Sequence, residues 1–111
     1  MSRVLGVLAA GVKDPDGEEQ KRVILEFASE NNLSVEEFFV RGAGRGEDAP
    51  DFLSGLLEKV ERGDTLLMQR LACLSDTSGE AFRILDRLAM KGICVTSLEQ
   101  GVNTCALTEL D

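Results

Sequence analysis

Two stretches of this chain gather the side chains that chemistry requires. The first, Arg70-Leu71-Ala72-Cys73-Leu74-Ser75-Asp76-Thr77-Ser78, sets a guanidinium and a thiol beside three hydroxyls. The second, Arg41-Gly42-Ala43-Gly44-Arg45-Gly46-Glu47-Asp48, sets two arginines among three glycines. Glycine backbone and arginine forks are what phosphate sites use, which makes Arg41 and Arg45 a candidate anion-contact loop. Glu47 and Asp48 oppose that reading, and a solvated connection is the simpler one. Cys73 is a candidate reactive thiol. Thiolate chemistry needs nearby positive charge, and little beyond Arg70 is in reach, so a small apolar filler is simpler. Thr77, three residues before Glu80, reads as a helix cap. Ser75 and Ser78 read as loop residues, and Lys13 as an exposed lysine.

Composition removes several classes of chemistry. The chain contains no histidine, which excludes any triad built on an imidazole base. Its three cysteines, Cys73, Cys94 and Cys105, include no CxxC pair. They suggest neither a zinc site nor a disulfide framework, and the expectation is a reduced, cytoplasmic protein without metal or cofactor. Cys94 falls in an apolar strand pattern and reads as core, whereas Cys105 lies in a C-terminal tail. The formal net charge of −8 opposes association with polyanions, so DNA binding by this chain alone is not expected. No apolar run approaches the roughly 18 residues of a membrane span. The first apolar stretch reads as a strand, not a signal peptide.

The elements that must position these residues follow from periodicity. Arg3 to Ala10 is a short apolar run, as in a strand buried on both faces. Asp16 and Glu19 suggest a capping box, and Val23, Ile24, Phe27 and Ala28 share one helical face that Asn31-Asn32 closes. Val35 to Val40 suits a second strand. Pro50 opens a helix carrying Phe52, Leu53, Leu56, Leu57 and Val60, stopped by Gly63. Asp64 to Met68 is a third strand. Phe82, Ile84, Leu85, Leu88 and Ala89 give the next helix a broad apolar face ending at Gly92, and Ile93 to Leu98 is a fourth strand. The alternation predicts one α/β domain over residues 1–111: three layers, a mostly parallel four- to five-stranded sheet, helices on both faces. Sites in such sheets form beyond the carboxyl ends of the strands.

Set in that order, the residues resemble the catalytic domain of the serine recombinases, the resolvases and invertases. The likeness runs from Arg3 to about Thr104. It rests on RVLG at 3–6, Gln20 at the family's spacing from the first strand, and EKVERGDTLL at 58–67. It rests also on Arg70-Leu71 opening a segment similar to RLDRLGR, and on GICVTSLEQGVNT at 92–104. The resemblance implies a serine nucleophile at the end of the first strand, attacking a DNA phosphodiester among arginines that stabilise the phosphoryl charge. Here Ala9 stands for an arginine of that pattern and Gly11 for the serine. Ala72, Cys73 and Asp76 replace the aspartate and two arginines of the second motif, and Ala49 replaces a further arginine. Of the polar residues that the family places near its site, Gln20, Asp64 and Arg70 remain.

The resemblance therefore implies the fold without the chemistry: no catalytic residue, and a catalytically inactive protein-interaction or regulatory module whose partner is another protein. Two alternatives stay open. One is a non-cleaving accessory or fragment of a site-specific DNA recombination protein. The other is a small-molecule or phosphate binder using the remodelled pocket. The family continues into a long dimerisation helix and a DNA-binding domain. The chain given ends at Asp111 without them, so a monomer or weak homodimer is expected.

Overall fold

The first strand decides the architecture, because it is apolar on both faces and needs cover on both. The computed structural model describes residues 3–10, 17–41, 49–75, 78–99 and 101–103, with the backbone alone at 49–53, 78, 102 and 103. In it β1 (Val4–Ala9) lies inside a five-stranded sheet, flanked by β2 (Val35–Arg41) and β3 (Thr65–Met68). β4 (Cys94–Ser97) follows β3, and β5 (Val102–Asn103) closes the order β2-β1-β3-β4-β5. All pairs are parallel except β4–β5. The α/β architecture with a mostly parallel sheet is as the sequence predicts.

Alternation along the strands divides the core. Leu5, Val7, Leu66, Met68 and Val95 pack with Leu56 and Val60 of α2 (Ala49–Lys59) and with Ala81, Ile84 and Leu88 of α3 (Ser78–Met90). On the opposite face, Leu8 and Leu67 meet Ile24 and Ala28 of α1 (Glu18–Glu30). Gly6 makes room for the Phe38 ring of β2, since a Cβ there would lie 2.4 Å from it. Among the described residues, no helix is long and apolar enough to cross a membrane.

Two helices end in the same device. After α1, the Leu33 N–H donates to the Ala28 carbonyl at 2.8 Å, with Asn32 in the left-handed region at φ 57°. After α3, the Ile93 N–H donates to the Leu88 carbonyl at 2.9 Å, with Gly92 at φ 88°. Both are Schellman closures, which satisfy late carbonyls, and the one after α3 leads into the buried Ile93.

Three local expectations are corrected. The α1 N-cap is Gly17, which has no side-chain cap bond, and Glu18 and Glu19 complement the helix dipole instead. Asp16 lies outside the described residues, as do Thr77 and Lys13. On α3, Phe82 is 59% exposed and Ala89 is exposed, whereas Ala81 is buried. The apolar stripe is rotated from the expected one because the helix seats Ala81, Ile84 and Leu88 at i, i+3 and i+7. Cys94 is not a core filler: it is half-buried and disulfide-bonded. Its side of β4 is the side of α1, which packs on β1 and β3 and not on β4, so that face of the strand is less covered than the face under α3. Cys105 lies outside the described residues.

Candidate functional site

The carboxyl ends of β1, β2, β3 and β4 converge at one edge of the sheet, where this fold places its sites. Gln20, in the first turn of α1, reaches back to the end of β1. Its Nε2 donates to the Ala9 carbonyl at 2.7 Å, and its Oε1 accepts from the Ala9 N–H at 2.9 Å. The amide acts as a short extra strand and closes off both main-chain groups of Ala9. The same Oε1 accepts from the Cys73 thiol at 3.3 Å. Ala9, Gln20 and Cys73 thus form one polar contact at the place where the sequence locates the candidate site.

Cys73 lies in a short 3-10 turn, Leu71–Cys73, directly after β3 and is 2% exposed. Burial pushes its thiol pKa up, and the charges of Arg70 and Arg41 with backbone N–H groups offset this only in part. The group is therefore a protonated thiol at neutral pH, the opposite of an activated nucleophile. That agrees with the filler reading.

Both described arginines here have close partners. Arg41 donates from Nε to the Cys73 carbonyl and from Nη2 to the Ala72 carbonyl, each at 3.0 Å. It ties the end of β2 to the turn after β3, so its role is positional. Arg70 lies 3.4 Å from Glu99, both side chains about half exposed. The Glu99 N–H in turn donates to the Gln69 carbonyl at 2.8 Å, which holds the end of β4 against the end of β3. A carboxylate thus faces the arginine that the family pattern retains.

Asp64 does not join this group. It precedes β3, at the opposite end of the strands, and is fully buried. Arg3 donates to it from its backbone N–H at 3.2 Å and from Nη2 at 2.7 Å, and the Glu61 N–H donates at 2.8 Å. Asp64 therefore fastens the start of β1 to the start of β3 and is structural. Ala72 is exposed beside Cys73. Gly11, Arg45 and Asp76, and the side chain of Ala49, lie outside the described residues. Among the described residues no group of three or more acidic, cysteine or histidine side chains is arranged to hold a metal ion.

The sequence carries no sign of the role of Glu99: it lies two residues past β4, and its partner depends on two strand ends meeting. Nor does it reveal that the acceptors of Arg41 are main-chain carbonyls, since those belong to a turn 31 and 32 positions away.

Replacing Gln20 with leucine is expected to cost about 1–3 kcal/mol, the usual penalty for orphaning a half-buried main-chain pair. It should also speed the reaction of Cys73 with a thiol reagent. Urea denaturation and thiol-labelling rates of the two proteins test both effects.

The candidate site is seated between β1 and the β3–α3 turn, at the strand ends where open parallel sheets place theirs. Residues 11–109 match the resolvase N-terminal domain family, and the chain belongs to it. Solved structures agree on the fold. The N-terminal catalytic domain of TP901-1 integrase superposes with a TM-score of 0.71 at 16% identity, over 99% of this chain and 87% of that one. A resolvase family site-specific recombinase from Streptococcus pneumoniae gives 0.66 at 14% identity, with the same 99% and 87% coverage. The C-terminal catalytic domain of ISC1926 TnpA, an IS607-like serine recombinase, gives 0.60 at 12% identity, over 88% and 67%. No curated protein matches the chain.

Proposed function

We propose that this resolvase-family domain works without strand-cleavage chemistry, as a protein-interaction or regulatory module. One observation supports the reading above others: the described polar groups at the strand ends are engaged with the protein itself. Gln20 closes on Ala9, Cys73 is a buried thiol, Arg41 holds carbonyls, and Arg70 faces Glu99. Phosphoryl transfer requires the reverse, a nucleophile among donors aimed outward at developing charge. Losing one such donor typically costs a factor of about 10² to 10³. The sequence lacks several, and Gly11 stands where the family's serine would be.

A second reading draws on the kinds of protein that share the fold, an integrase and a site-specific recombinase among them. In it the domain is a non-cleaving participant in DNA recombination, acting beside an active partner. A mobility-shift titration on duplex DNA at low salt, paired with thermal shifts in pyrophosphate, tests the first reading. It expects neither retardation nor stabilisation. A salt-sensitive complex with DNA would favour the second, and stabilisation by pyrophosphate would favour a phosphate binder.

A further inference from the structure

β2 is the outermost strand, with β1 on one side and no described strand on the other. The Ala10 N–H donates to the Arg41 carbonyl at 2.8 Å, so the peptide groups of Arg41 turn towards β1. Peptide groups alternate in direction along a strand. Those of Phe39 therefore also turn inward, and those of Phe38 and Val40 face the free edge. Apolar surface borders that edge. Val40 is 45% exposed, Leu25 44% and Leu33 38%, three of the five exposed large hydrophobics among the described residues. Lys21 Nζ lies 5.2 Å from the Phe38 ring centroid, which sets that flank of α1 against β2. Leu25 lies one turn further along the same flank.

The charge of the edge selects its occupant. Glu36 and Glu37 are both exposed on β2, in a chain of net charge −8. Pairing two copies through β2 would bring these glutamates together, and like charges on paired strands destabilise. An incoming strand alternates its side chains between the two faces of the sheet. On one face it meets Glu36, Phe38 and Val40, and on the other Glu37, the half-buried Phe39 and Arg41. The Arg41 guanidinium is already bonded to the Ala72 and Cys73 carbonyls, so the net charge that the edge offers is negative. We propose that the free edge of β2 docks an extended segment of another protein in which apolar residues alternate with basic ones. The segment adds a strand to the sheet, with main-chain bonds to Phe38 and Val40 giving affinity and the two faces giving selectivity. This inference names the partner chemistry for the interaction role proposed above and rests on that reading.

The test is a titration of the ¹⁵N-labelled protein with a blocked peptide of alternating Lys and Val, and with its counterpart of alternating Glu and Val. The expected result is saturable amide shifts confined to residues 36–41 and the Leu25 flank, with the Glu peptide inert. Val40→Pro removes an outward donor at a position where an edge strand tolerates proline, and should weaken binding about tenfold. Glu37→Lys, which leaves the backbone intact, should weaken it as well and keeps the test decisive if the proline variant fails to fold. Absence of saturable shifts, shifts mapping to α3, undiminished binding by both variants, or self-association through β2 would each overturn the proposal. An inert β2 edge in a non-cleaving protein sinks this inference alone, whereas DNA cleavage sinks the functional reading on which it rests.

Discussion

Replacing Asp64 with alanine is expected to destabilise the domain by about 3 kcal/mol at neutral pH. Breaking a buried ion pair typically costs about 3–5 kcal/mol. The lower end applies because the Arg3 side chain is 30% exposed and can turn to water. The backbone N–H groups of Arg3 and Glu61 cannot do so as freely, and both lose their acceptor. Because domains of this size hold only about 5–15 kcal/mol in total, the loss should be evident in urea melts. The same contacts fix the pH dependence. Burial alone would raise the Asp64 pKa, but the Arg3 guanidinium and the two backbone donors outweigh it and hold the carboxyl below its ordinary value of 3.8. A depressed carboxyl contributes stability that is present above the unfolded value and lost as pH falls through the folded one. Wild type should therefore lose stability faster than Asp64→Asn as pH drops below that ordinary value.

On α3 a paired substitution should separate two large apolar side chains that sequence places on one face. Leu88→Ala is expected to cost about 2–5 kcal/mol, because Leu88 is fully buried in the cluster with Leu66, Ile84 and Val95, and a cavity remains. Phe82→Ala should stay within about 0.5 kcal/mol, as exposed positions do. Thermal or urea denaturation of the two variants measures the contrast. Equal losses would contradict the orientation of α3 on the sheet.

That contrast shows what sequence could and could not reveal. β1, β3 and β4 were legible because buried parallel strands are apolar runs bounded by turns, and the end of α3 was legible from Gly92. The rotation of α3 was not, because Phe82 and Leu85 extend the apolar stripe beyond the arc that the sheet covers. At the candidate site, the residue types that differ from the family pattern were legible: Ala9, Gly11, Cys73. What those positions do instead was not. Gln20 bonds to main chain eleven residues away and Cys73 to Gln20 across 53 positions, contacts that exist only once β1 and β3 are neighbours. Asp64 was read from family spacing as near the site. Its place before β3, beside the start of β1, makes it a fastening at the far end.

The proposed function is a resolvase-family domain working without strand-cleavage chemistry, and trapping of a covalent intermediate tests it most directly. The protein would be incubated with supercoiled plasmid, quenched in detergent, and run on a denaturing gel for protein-linked DNA. The expected result is unbroken plasmid and no linked protein at any concentration. Specific cleavage, with the protein joined to a DNA end through a serine or threonine, would contradict it.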